Sequence, residues 1–303
     1  MSAARVQPVV LALPGNAELA GGLARRLEAV DGAVTVRRFP DGETYLRIDT
    51  AVAGRTVLLA STLDRPDDKL LALVLLAATA RDLGATRLVL VAPYLPYMRQ
   101  DARFQPGEGV TSTYVGRLLS SAVDGIVTVD PHLHRHRSLA DVLQVPGVCV
   151  HAAPEIAAWI ARHLPDPLLI GPDGESAQWA AAAAELAGAP FTVLAKTRHG
   201  DREVEVSVPG LARWPGRTPV LVDDIISTGR TMLAAVAHLR GLGTAPPMCV
   251  AVHAVFAGQA YRDLVDAGAR VVTCNTIPHP SNAIDLHDLV ADGVRALLGG
   301  GDG

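Results

Sequence analysis

The feature that most narrows the folds open to this 303-residue chain is its alternation of short apolar runs with Ala- and Leu-rich helical runs. Candidate strands are Val9–Leu13, Val34–Arg38, Thr44–Ile48, Thr56–Ala60, Arg87–Ala92 and Ile126–Asp130, with helices fitting Ala17–Val30, Asp68–Leu83 and Ser112–Ser120. A second series then begins, with strands at Val148–Val150, Leu168–Ile170, Phe191–Leu194, Glu203–Val208, Val220–Val222, Met248–Val255 and Val271–Asn275. Its helices fit Pro154–His163, Glu175–Ala187, Thr231–Leu242, Gln259–Ala267 and a last one near His287–Leu298. Alternation at this spacing predicts parallel sheets covered by helices. Strands buried on both faces read as continuous apolar runs, as these do. The expectation is an α/β protein of two tandem domains, residues 1–146 and 147–303, each a mainly parallel sheet flanked by helices. A weak repeat is suggested by two strands that run into an acid and a polar turn, Val127 to His132 and Leu221 to Asp224.

Composition excludes several classes. A net charge of −4 gives no bulk attraction to nucleic acid. An apolar content of 49% supports sizeable cores. Cys149, Cys249 and Cys274 are scattered without a CxxC pair, which argues against disulfide staples and a cysteine zinc site. The start of the sequence has no signal-like apolar core with a basic flank. The longest apolar run, Leu70–Ala78, is too short for a membrane span. A soluble, cytoplasmic protein is expected.

Chemistry concentrates where strands end. Val220-Leu221-Val222 leads into adjacent carboxylates, Asp223 and Asp224, then the turn Ser227-Thr228-Gly229-Arg230-Thr231 and a helix. Backbone N–H groups at a helix start, helped by the helix dipole, hold phosphate. The acidic pair repels phosphate, so it suits a ligand that also carries hydroxyls or a divalent metal. A sugar phosphate has both features.

Other segments admit two readings each. Arg38-Phe39-Pro40-Asp41-Gly42-Glu43 suits a plain hairpin turn, or a ring stacked on a base beside carboxylates that accept its amino hydrogens. Arg99, Gln100 and Arg103, after a Pro- and Tyr-rich start, form either a solvated loop or donors for phosphate. Asp130-Pro131-His132-Leu133-His134-Arg135-His136 offers surface histidines or ligands, with oxygen preferred by Mg²⁺. Asp173, in Gly171-Pro172-Asp173-Gly174-Glu175, is a helix cap or a contact to metal or hydroxyl. Lys196 and Arg198 are a solvated charge run or mobile cations for a polyphosphate transition state.

In this order the segments resemble the ribose-phosphate diphosphokinase family, built on the type I phosphoribosyltransferase fold. Phe39/Asp41/Glu43 match its F-x-D-G-E loop, Arg99/Gln100/Asp101 its R-Q-D segment, and His132 its His beyond a strand-end acid. Asp173 matches the P-D-x-G turn, although here it reads Pro-Asp-Gly-Glu. Lys196/Arg198 match the K-x-R loop, and Asp223 to Thr231 the phosphate loop. Ser227 and Arg230 stand where many family loops carry Asp and Gly, and the stretches Pro131–Arg137 and Phe104–Gly107 also differ from the commonest bacterial form.

The resemblance implies transfer of the β,γ-diphosphoryl group of ATP to the anomeric hydroxyl of ribose 5-phosphate, giving phosphoribosyl pyrophosphate and AMP. It assigns ATP binding to Phe39, Asp41, Glu43, Arg99, Gln100 and Asp101, with the Phe39 loop reaching a neighbouring subunit. His132 and Asp173 would hold Mg²⁺, and Asp223 and Asp224 the ribose hydroxyls and a second Mg²⁺. Ser227, Thr228, Gly229, Arg230 and Thr231 would cradle the 5-phosphate, and Lys196 and Arg198 the transferring group. A homo-oligomer, at least a dimer, follows from the shared loop. No Walker A sequence is present, which disfavours a P-loop kinase. Rival readings are a salvage phosphoribosyltransferase and a catalytically silent paralogue. The first leaves Phe39–Glu43 unexplained; the second should have lost Lys196, Arg198 or His132.

Overall fold

The computed structural model describes residues 6–133, 135–172, 177–199 and 203–300; for residues 178, 196–199 and 203–206 it describes the backbone alone. The chain divides into two compact units, Met1–Val150 with His287–Gly303, and His151–Leu286.

In the first unit the strands are β1 (Val9–Ala12), β2 (Val30–Gly32), β3 (Val34–Arg38), β4 (Thr44–Ile48), β5 (Thr56–Ala60), β6 (Arg87–Val91), β7 (Gly125–Val129) and β8 (Gly147–Val150). Helix α1 (Ala17–Leu27) follows β1, α2 (Asp67–Asp82) follows β5, and α3 (Thr111–Ala122) follows β6. The sheet order is β2-β1-β5-β6-β7-β8, and β3–β4 form a separate antiparallel hairpin. Every pairing in the six-stranded sheet is parallel.

The second unit opens with α4 (Ala153–His163) and continues with β9 (Pro167–Gly171), α5 (Ala177–Leu186), β10 (Phe191–Val193), β11 (Ala195–His199) and β12 (Glu203–Ser207). Then come β13 (Thr218–Ile225), α6 (Arg230–Gly241), β14 (Met248–His253), α7 (Ala260–Asp266), β15 (Arg270–Cys274) and β16 (Asn282–Ile284). Its sheet order is β10-β9-β13-β14-β15-β16, with β11–β12 as the separate antiparallel hairpin. The two sheets therefore have one plan, hairpin included. The counterpart of β13 is β5, and that of β7 is β15, so the repeat suggested between Val127–His132 and Leu221–Asp224 joins strands that are not equivalent.

The central strands are apolar and fully buried, as in Val57-Leu58-Leu59-Ala60 and Val220-Leu221-Val222. Removing a Val or Leu side chain from water stabilises a fold by roughly 1.5–3 kcal/mol.

Three local expectations change for physical reasons. The helix expected to reach Val30 ends at Leu27, because Glu28 turns into the left-handed region at φ 51° and Val30 then pairs with Val9. Lys196 and Arg198, read as a loop, have their backbone on β11, in register with Val206 and Val204. The last helix, α8 (His287–Gly299), belongs to the first unit, while the sequence assigns it to 147–303. Its buried stripe of Val290, Ala291, Val294 and Leu297 explains this. Gly293 lets it seat on the sheet, since a Cβ there would come within 2.9 Å of Val127 and 2.8 Å of Val150.

Candidate active site

In the second unit, β13 carries Asp223 and Asp224 into its last residues, both half-buried. The Asp223 carboxylate accepts from the Asp224 N–H at 3.0 Å. The chain then turns through Ser227 and Thr228, and Gly229 caps α6 with φ 64°, a left-handed conformation that suits glycine. Arg230 opens the helix and is exposed. The turn is pinned from behind: the Phe256 N–H donates to Ile226 O at 2.9 Å and the Ala257 N–H to Ser227 O at 3.0 Å. Backbone donors, a helix start without an acid in its first turn, and two carboxylates thus stand together. That combination suits a phosphate beside hydroxyls or a hard cation.

Asp173 lies outside the described residues, as do the side chains of Lys196 and Arg198. Next to the turn, Phe256, Tyr261 and His279 form an aromatic cluster with ring centres 4.7 to 5.4 Å apart. Burial pushes the His279 imidazole below its ordinary value and favours its neutral form.

In the first unit, the Phe39 segment is the tip of the β3–β4 hairpin. The Phe39 N–H donates to Glu43 O at 2.8 Å, Gly42 N–H to Phe39 O at 2.9 Å, and Asp41 Oδ1 accepts from Glu43 N–H at 3.2 Å. The segment is a turn, and it presents an exposed ring beside two exposed carboxylates. Arg37 stands 4.7 Å from the Phe39 ring centre and 4.1 Å from that of Tyr45.

Beyond β6, the Pro- and Tyr-rich stretch packs inward through Leu95 and Met98, both buried. Tyr97 donates its hydroxyl to Asp67, and that bond raises its pKa. The chain then emerges with Arg99 exposed and Gln100 half-buried. Asp101 turns inward to an ion pair with Arg135 at 2.9 Å. After β7, Asp130 is buried with φ 33°, its N–H bonded to Val150 O at 3.0 Å, and His132 follows half-buried. His134 lies outside the described residues. His136 meets Ser112 Oγ at 3.2 Å through its Nε2. Among the described residues, no group of three or more His, Cys, Asp or Glu is placed to hold a metal ion. No helix among them is long and apolar enough to cross a membrane. Sequence reasoning gives Arg135, Phe104 and Glu108 no role; for Arg135 and Phe104 the signal is that their stretches depart from the family pattern.

Two sheets of one strand order, with a polar turn and helix start at the carboxyl end of a central strand, define a tandem phosphoribosyltransferase-type protein. The family model for the N-terminal domain of ribose phosphate pyrophosphokinase matches residues 8–122, and that for the phosphoribosyl transferase domain matches 149–290. A ribose-phosphate pyrophosphokinase of Methanopyrus kandleri is 34% identical over 96% of this chain and 100% of its own. One from Saccharolobus solfataricus is 36% identical over 79% of this chain and 82% of its own. The crystal structure of phosphoribosylpyrophosphate synthetase from Mycobacterium smegmatis superposes with a TM-score of 0.82 at 28% identity, covering 97% of this chain and all of that one. The chain belongs to the ribose-phosphate pyrophosphokinase family.

Proposed function

We propose that the protein makes phosphoribosyl pyrophosphate and AMP from ATP and ribose 5-phosphate. The observation that carries the reading is the phosphate turn itself, Asp223 to Thr231, in a chain similar over its full length to ribose-phosphate pyrophosphokinases. In the reaction the anomeric hydroxyl oxygen bonds to the β-phosphorus of ATP. The bridge between the α- and β-phosphoryl groups breaks, AMP departs, and the hydroxyl proton is lost to solvent.

The second unit binds the acceptor. Ser227, Thr228, Gly229, Arg230 and Thr231 take the 5-phosphate through backbone and hydroxyl donors, while Asp223 and Asp224 orient the ribose hydroxyls. The first unit binds the donor through Arg99 and Gln100, with Asp101 in the same loop. The exposed Phe39, flanked by Asp41 and Glu43, reads the adenine of a neighbouring subunit, so a dimer is the smallest competent assembly. Lys196 and Arg198 meet the charge that grows on the transferring group.

The oxygen-rich pair Asp223–Asp224 fits one Mg²⁺, a hard cation, and His132 and Asp173 would be the residues for another. Mg²⁺ held by these residues would neutralise charge on the phosphate oxygens. We place the enzyme in the cytoplasm; a sequence with three scattered cysteines and no CxxC pair fits a reducing compartment.

AMP release from ATP, measured with and without ribose 5-phosphate, tests the reading. Release that depends on the sugar phosphate is expected. Sugar-independent hydrolysis, or none, refutes it. Mixing an inactive Phe39→Ala/Asp41→Ala chain with an inactive Lys196→Ala chain should restore activity in hybrids. Hybrids that form but stay silent would show that the hairpin serves its own chain.

A further inference from the structure

Arg135 lies in the His-rich stretch after β7, and none of the assignments above uses it. Its guanidinium makes two contacts at once. One Nη donates to Asp101 Oδ1 at 2.9 Å, and the Cζ stands 5.1 Å from the centre of the Phe104 ring. The Asp101 side chain is only 2% exposed, against 54% for Arg135. A carboxylate removed from water is costly without a paired cation. Asp101 therefore fixes Arg135 in place, and Arg135 lies over Phe104, whose ring is otherwise on the surface. A planar guanidinium can bond at its edge and stack on its face together; an ammonium cannot.

A second tie runs beside the first. His136 meets Ser112 Oγ, the Ser112 N–H donates to Gln100 O at 3.3 Å, and Thr111 Oγ1 donates to Gln100 Oε1 at 3.2 Å. The far end of the loop is closed by the Glu108 carboxylate, which accepts from the Phe104 and Gln105 N–H groups at 2.7 and 3.0 Å. Residues 99–108 are thus held from both ends, and the His-rich stretch supplies the outer hold.

We infer that Arg135 is a positioning residue for nucleotide binding. It clamps loop 99–108 to the His-rich stretch through Asp101 and Phe104, and so fixes Arg99 and Gln100 for the phosphates of ATP. Asp101 then serves ATP through Arg135 and not by direct contact. The inference rests on the reading of Arg99 and Gln100 as ATP-binding residues.

Steady-state kinetics on the full chain tests it, with each substrate varied in turn. Arg135→Ala is expected to raise KM for ATP about tenfold while kcat falls less than about threefold, since binding geometry and not the chemical step is disturbed. KM for ribose 5-phosphate should stay within about twofold. Arg135→Lys keeps the charge and loses the stack, so it should fall between, at about threefold in KM for ATP. Phe104→Ala removes only an exposed ring; it should match the Lys variant and add little to Arg135→Ala in the double variant, and it keeps the test open should Arg135→Ala fold poorly.

Arg99→Ala separates the two readings. If it raises KM for ATP and neither Arg135→Ala nor Phe104→Ala does, the positioning role is overturned alone. If Arg99→Ala also leaves KM for ATP unmoved, the loop does not bind ATP and both readings fall. Equal rises in KM for both substrates would show a general structural role and overturn the inference.

Discussion

β5 and β13 hold the same place in two sheets of one strand order, yet they end in opposite chemistry. After β5 the chain binds itself. Asn16 Oδ1 accepts from the Thr62 N–H at 2.7 Å, Lys69 Nζ donates to Thr62 O at 3.1 Å, and Lys69 also pairs with Asp64. Helix α2 then opens with Asp67 and Asp68, whose charge repels an anion at that helix start. After β13 the acids come first, at the strand end, and α6 opens with no acid in its first turn. The fold decides where a ligand can approach; the residues decide whether one is welcome. One corner carries the turn proposed above to bind the sugar phosphate, and the other is a self-satisfied joint.

The comparison can be broken most directly at its carboxylates. Asp224→Asn should lower kcat/KM for ribose 5-phosphate about 100-fold and raise the Mg²⁺ requirement, the scale of one lost electrostatic contact. Asp64→Asn, at the other corner, should change kcat/KM by less than about twofold. Equal losses in the two variants would erase the distinction.

The joint at β5 should matter to stability in return. Asn16 is 2% exposed, and its amide also donates to Leu13 O and Pro14 O, each at 3.2 Å. Asn16→Ala should destabilise the first unit by about 2–3 kcal/mol in denaturant melts, because Thr62 N–H is left buried without that acceptor. Both KM values should hold. A shift in either would mean that this corner still takes part in binding.

Backbone conformation sharpens the contrast further. Gly229 and Arg65 both sit in the left-handed region, at φ 64° and 49°. Gly229→Ala should cost about 1 kcal/mol and weaken sugar phosphate binding, whereas Arg65→Gly should stabilise by up to about 1 kcal/mol with unchanged kinetics. Thermal melts and KM for ribose 5-phosphate give both answers.

The smallest effect is a pH dependence confined to the first unit. Burial pushes the Asp124 carboxyl up, but hydrogen bonds from Arg81 and from the Leu88 N–H outweigh it and leave its pKa below the ordinary 3.8. A depressed carboxyl stabilises the fold above its ordinary pKa, and that contribution is lost as pH falls through the lowered value. Solvent screening keeps it below about 1 kcal/mol. The residue before β15, at the matching place, is Ala269, so the second unit lacks this contribution. Acid titration followed by hydrogen exchange should show the β6–β7 amides of wild type losing protection that Asp124→Asn lacks throughout. Identical profiles would refute the assignment.

Much of this was legible in the sequence because it is local. The buried strands, the helix starts and the turn from Asp223 to Thr231 are each written in a dozen consecutive residues. What was not legible depends on distant partners. Val30–Gly32 is a strand only because Val9 lies beside it, and Asn282–Ile284 only because β15 does. Asp101 belongs with Arg99 and Gln100 by sequence, yet its side chain points to Arg135, thirty-four residues on. The same cause misled the repeat: Val127–Asp130 and Leu221–Asp223 look alike locally, and only the pairing of whole sheets shows which strands correspond.

The return of α8 to the first unit sets the order of folding against the order of synthesis. Residues 151–286 are a detour inserted between β8 and the helix that covers it. A ribosome finishes the eight strands of the first unit long before it makes Val290, Val294 and Leu297. Until then the face of β7 and β8 that α8 covers stays bare, and the second unit has all its own residues before α8 is made. The part begun first is therefore completed last, and it is the part a nascent chain must shield from aggregation longest.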